Sequence, residues 1–156
     1  MTKTEQLDIL QEHSNLAFSF FEFLFSEDVD GFWALVSKVD QARVYGMYRA
    51  YIDQDYSEPL TFRDYIKNHI KPDIEQIYIP LKDNNPGIAT HQRYTEDGET
   101  VVFLLPNITE PKVYETETEE LVFPITMTID ASLINNEVSA DWKVRIYRDQ
   151  DYKVLK

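Results

Sequence analysis

The chain has no cysteine, only four glycines and three histidines, and few cations for its length. Each shortage excludes a class of chemistry. Without cysteine there is no disulfide, no iron–sulfur ligation, no thiol nucleophile and no zinc site that uses sulfur. The glycines, Gly31, Gly46, Gly87 and Gly98, are scattered. They form neither a glycine-rich phosphate loop nor a Gly-x-Ser-x-Gly elbow, so no nucleotide or other organic cofactor is expected. His13, His69 and His91 lack the i, i+4 spacing that sets two imidazoles on one helix face, and no metal site is expected. Asp28-Val-Asp-Gly31 has the look of a calcium loop. Aligning Gly31 with the loop's invariant glycine, however, puts Ser37 where a bidentate glutamate must stand.

Lysine and arginine number 15 against 28 acids, a formal charge of −13. Phosphate backbones and anionic lipid surfaces repel such a chain, so neither nucleic acid nor membrane is an expected partner. The densest apolar run, Leu16 to Phe25, is about half a membrane span and contains Glu22. The first ten residues carry acids where a secretory signal needs cations ahead of an apolar segment, so a cytoplasmic location is expected.

What is present is a large apolar payload. Hydrophobic residues make up 43% of 156, with 9 Phe, 10 Tyr and 2 Trp, enough for a core in one domain spanning 1–156. Residues 1–77 read as mainly helical and 86–148 as mainly antiparallel strands, an α+β arrangement with helices on one side of the sheet. Leu7, Leu10, Ser14, Ala17, Phe21 and Leu24 recur at helical spacing and predict a helix over 4–25. Val29, Phe32, Trp33 and Val36 share a face in a short second helix. Val44, Met47, Tyr48, Tyr51 and Ile52 do so in a third over 40–52, with Asp40 as its expected N-cap. Thr61 followed by Asp64 opens a fourth, whose apolar face is Phe62, Tyr65, Ile66, His69 and Ile70. Pro72 either ends it or opens one further turn.

Beyond residue 86 the period changes to two. The segments 88–94 and 100–105 flank Glu96-Asp-Gly98, a hairpin signal. The stretches 121–130 and 138–147 alternate apolar with polar around Asn135-Asn136, and Pro124 implies an edge or a bulge. By that alternation Asp130, Asp141 and Arg145 point away from the helices. Residues 108–118 are either a strand or a long loop.

The aromatic first helix, the segment Asp28-Val-Asp-Gly-Phe-Trp-Ala-Leu-Val36, the late hairpin and the last strand Asp141-Trp-Lys-Val-Arg-Ile-Tyr147 together resemble the nuclear transport factor 2-like superfamily. The resemblance runs over residues 13 to about 148 and is one of order and pattern, without a catalytic motif. It implies a cystatin-like cone: a curved antiparallel sheet wrapped around the helices, with a pocket at the open end. The superfamily includes ketosteroid isomerase, scytalone dehydratase, transport adaptors and ligand-binding domains, so the fold alone does not select a function.

Pocket chemistry of the isomerase or dehydratase kind needs an inward base near a tyrosine donor. Tyr48 and Tyr51 share one helical stripe, while Tyr65 and His69 stand at i, i+4 on another, so these four are the candidate ligand-binding residues. The alternative is a set of core rings with hydroxyls at the rim. Three functions remain open. The leading one is a non-catalytic domain that binds a small apolar ligand or serves assembly; the others are a His/Tyr pocket enzyme using His69 or His91, and an acidic inhibitor or immunity-type protein covering a basic partner. A homodimer through the outer sheet face is also expected. Val101, Phe103 and Leu105 alternate with Thr100, Val102 and Leu104, which makes that strand apolar on both sides.

Overall fold

The computed structural model describes residues 2–54, 60–79, 82, 87–94, 99–105 and 123–147, with only the backbone at 3, 5–10, 87–94, 103–105, 123–124, 132 and 134. Its first helix, α1 (Lys3–Leu24), buries His13, Leu16, Ala17, Phe20, Phe21 and Leu24 along one stripe. Its end is held by a lysine. The Lys71 ammonium, almost wholly buried, donates to the Leu24 carbonyl at 2.7 Å, to the Ser26 carbonyl, and to Glu75 Oε1 at 3.0 Å. Carbonyls at a helix C-terminus lack intrahelical partners, and a cation there satisfies them and favours the helix dipole.

Helix α2 (Val29–Ala34) is capped by Asp28, whose Oδ1 accepts from the Gly31 amide at 2.8 Å. The acids of the calcium-like stretch thus include a helix cap. Gly31 is required by space, since a Cβ there would lie 2.5 Å from the Phe23 ring.

Helix α3 (Lys38–Gln54) starts earlier than predicted, and Asp40 is not its N-cap. Ser37 takes that place: its carbonyl accepts from Gln41 at 2.9 Å and its Oγ from the Asp40 amide at 3.4 Å. Serine followed three residues later by an acid is a capping-box spacing, and the acid at its third helical position is free to reach elsewhere.

Thr61 caps α4 (Phe62–Tyr65) through the Asp64 amide, as the sequence predicts. A π turn (Ile66–Ile70) then carries the helix into α5 (Lys71–Tyr78) without a break. Pro72 explains the widening. In an unbroken α-helix its ring would press on the carbonyl four residues back, and a π turn just ahead relieves that contact.

The second half forms an antiparallel sheet in the order β1 (Gly87–Tyr94), β2 (Thr100–Leu105), β3 (Phe123–Ile134), β4 (Glu137–Arg145). The α+β class and the β1–β2 pairing agree with the sequence reading; residues 95–98 and 108–118 lie outside the described residues. Asn135 and Asn136 both have positive φ, 52° and 64°, as a two-residue turn of type I′ requires. Pro124 sits opposite Phe103, before β4 begins its pairing at Thr126, so it occupies a local edge and the register runs on without a bulge.

The main core joins Phe20, Leu24, Phe32 and Val36 to Val102, Ile125, Met127 and Val144. Helical residues also meet the other side of the β3–β4 pair. Lys38 donates its amide to Asp130 Oδ2 of β3 at 2.9 Å, and Asp40 binds Arg145 of β4, while on the core side His13 of α1 packs edge-on against Trp142 at 4.5 Å. Thr100, Val101 and Val102 are all buried within one chain, so the described part of β2 leaves no apolar patch in water. The side chains of Phe103 and Leu105 are outside the description.

Candidate functional site

The four aromatic candidates come together. Helix α3 brings Tyr48 and Tyr51, and the α4–π–α5 rod brings Tyr65 and His69. Ring centroids lie 5.5 Å apart for Tyr48 and Tyr65, 5.3 Å for Tyr51 and Tyr65, and 5.1 Å from His69 to each of Tyr51 and Tyr65. These are tilted contacts at the separations aromatic pairs prefer. The rings fill the space between the two helices. Phe62 extends the layer, touching Tyr48 at 5.3 Å and Trp33 at 5.5 Å.

Their polar ends differ. The Tyr48 hydroxyl donates to the Leu60 carbonyl at 2.7 Å, which ties α3 to the start of α4. Tyr65 is buried, and burial, then the nearby Tyr51 and Asp73, push its phenol above the ordinary tyrosine value. His69 keeps an exposed edge. Tyr147, beyond the end of β4, is also raised, by burial first and then by Asp73 and Tyr65; Arg43 opposes this and Asp40 adds to it. The Arg43 guanidinium lies 5.0 Å from the Tyr147 ring centroid, within cation–π range.

Next to this layer is a charged cluster that sequence reading missed. Arg145 donates Nε to Asp40 Oδ2 at 3.0 Å, one terminal nitrogen to Glu99 Oε2 at 2.9 Å and the other to the Tyr147 carbonyl at 3.2 Å. Asp40 Oδ2 further accepts from the Ile146 amide at 2.8 Å and from Ser37 Oγ at 3.0 Å. The Asp40 side chain is 1% exposed and that of Glu99 4%, against 18% for Arg145. One guanidinium thus serves two buried carboxylates, and Asp40 Oδ1 is left buried without a hydrogen bond. The expectation that Arg145 and Asp130 point away from the helices fails: alternation sets them opposite the apolar face, but α3 lies over that side and meets both, which nothing local to the strands reports.

Between the cluster and the helices is a cavity of about 10 Å³ lined by Phe20, Ile74, Ile77, Tyr78, Thr126, Arg145 and Ile146. It has room for about one water and none for an organic substrate. The other base considered from sequence, His91, lies on β1, where side chains are outside the description. Among the described residues no group of three or more histidines and acids is arranged to hold a metal ion, and no helix is long and apolar enough to cross a membrane.

Comparison with protein-family models, with curated proteins and with solved structures finds no match for this chain.

Proposed function

We propose that this chain is a non-catalytic assembly domain, built on the helices-then-sheet plan of nuclear transport factor 2-like proteins, that works by binding another protein rather than by enclosing a small ligand. The observation that carries this reading is the direct ring-on-ring packing of Tyr48, Tyr51, Tyr65 and His69. A binding pocket for a drug-sized molecule needs roughly 300 Å³ or more, and contacts of about 5 Å between centroids leave no such volume among these rings. The cavity beside Arg145 is far smaller still.

The same geometry weighs against a pocket enzyme that uses His69 with these tyrosines. Such an enzyme needs a base within hydrogen-bond reach of a bound substrate. Asp40 is committed to Arg145, Ser37 and the Ile146 amide, while His69 lies at the exposed margin of the aromatic layer. The element order supports the family plan, with helices over the first half and an antiparallel sheet over the second.

Ligand-observed NMR with a panel of rigid apolar ring compounds, followed by tyrosine side-chain spectra, tests this reading. No saturable binding is expected. A compound that binds and shifts Tyr48, Tyr51, Tyr65 and His69 together would restore the small-ligand pocket and overturn the assembly reading.

A further inference from the structure

The β3–β4 ribbon runs past the end of β2, whose pairing with β3 stops at Met127. It carries the apolar face of the core out into solvent. Leu133 pairs with Val138 and Ile129 with Trp142 on the side that buries Met127 and Val144, yet Ile129 is 52% exposed, Leu133 70% and Val138 77%. The opposite side of β4 presents Glu137 and Asp141, the latter paired with Asp130, and beyond them Lys143, whose ammonium is turned to the Ala34 carbonyl at 2.9 Å.

Strand β4 is also the outermost in the sheet. Near its end, Val144 exchanges two backbone bonds with the segment before α3: its amide donates to Leu35 at 2.8 Å and its carbonyl accepts from Ser37 at 2.9 Å. The Val144 backbone groups therefore point outward. Backbone direction alternates along a strand, so those of Val138 and Ala140 point outward too, and neither has a partner among the described residues. Edge strands are commonly protected by proline, by a bulge, by a cover or by charged side chains. This one has no proline, pairs with β3 without a shift in register, is exposed at Val138 and Ala140, and carries only the charged kind of protection, at Glu137, Asp141 and Lys143.

We propose that the free edge of β4 over Glu137–Asp141 receives an extended segment of a basic protein partner in which apolar and cationic residues alternate. This rests on the assembly reading and specifies the partner. Strand addition satisfies the outward amides and carbonyls, and alternate side chains decide what is accepted. The apolar set continues the Ile129–Leu133–Val138 face, while the cationic set meets Glu137 and Asp141. The chain's charge of −13 favours approach of a basic partner. It disfavours a second copy, which carries the same net charge.

The probe is a blocked peptide of about ten residues alternating lysine with valine and threonine, with its glutamate-for-lysine counterpart as control. Amide NMR shifts on the purified chain are expected at residues 137–141 with the basic peptide and not with the acidic one. Raising the ionic strength from about 0.1 M to 1 M, which contracts the screening length from roughly 10 to 3 Å, is expected to weaken binding several-fold. Ala140→Pro removes an outward amide while leaving the β3 ladder intact, and is expected to weaken binding about tenfold. Asp141→Lys tests the charge without touching the backbone and is expected to weaken the basic peptide. Binding that survives both variants, no binding at all, or a dimer abolished by Ala140→Pro would each overturn the proposal. Those results leave the assembly reading standing, which falls only to a small ligand among the four rings.

Discussion

Arg145 and Asp40 stand 105 residues apart in the chain and meet through a 3.0 Å bond between Nε and Oδ2, in a place that leaves the carboxylate almost no contact with water. The same guanidinium also holds Glu99, so removing Arg145 leaves two carboxylates buried and uncompensated. Arg145→Met is expected to lower stability by about 3–5 kcal/mol in chemical denaturation. The double variant with Asp40→Ala is expected to lose less than the sum of the two single changes. Simple additivity would show that the two groups are not coupled.

Tyr48 and Tyr65 are expected to respond differently to loss of their hydroxyls. Tyr48→Phe removes the 2.7 Å bond to Leu60 and is expected to destabilise by about 1 kcal/mol. Tyr65 makes ring contacts but no hydrogen bond from its hydroxyl among the described residues, so Tyr65→Phe is expected to be near neutral. Paired thermal melts decide between this ordering and its reverse.

His13 supplies a dependence on pH. It is fully buried against Trp142, and burial lowers its pKa below 6.5, with Glu12 opposing. The unfolded chain therefore binds a proton more readily than the folded one. Stability is complete above the unfolded value and is lost as pH falls from about 6.5 through the lower folded value. Denaturant midpoints measured between pH 7.5 and 5 are expected to fall, and His13→Leu is expected to remove that part of the slope.

Lys71 is expected to matter through α1 rather than through any surface charge. Lys71→Met keeps the length of the side chain and leaves the Leu24 and Ser26 carbonyls without their donor. Hydrogen bonds to a charged group contribute roughly 1.5–3 kcal/mol, and a loss of that order in equilibrium unfolding is the expected result. Faster amide exchange in the last turn of α1 would place the damage where the bonds were.

Structure in this chain that is set by near neighbours is legible in the sequence, and structure set by distant contacts is not. Asn135-Asn136, Thr61 with Asp64, and the stripe through Ala17, Phe21 and Leu24 each encode their structure within a few residues. Spacing alone also brought Tyr48, Tyr51, Tyr65 and His69 onto facing stripes. What spacing does not encode is whether rings that meet leave a space between them. The role of Asp40 was misplaced for a related reason. Ser37 and Asp40 both suit the start of a helix, and the choice between them is settled by Arg145 and the Ile146 amide from the far end of the sheet. Likewise, alternation gives Arg145 its side of β4 but not its burial, which depends on where α3 lies.

The two-residue turn at Asn135 and Asn136 bears on the order in which the chain assembles. The strands it joins are neighbours in sequence, and a hairpin of this kind closes in roughly 1–10 μs. The bond between Asp40 and Arg145 must wait for a loop of 105 residues to close, at an entropic cost that no local contact offsets. The ribbon is thus expected to pair before the clasp closes, and, since a lone hairpin is only marginally stable, to become permanent when the clasp joins it to the helices.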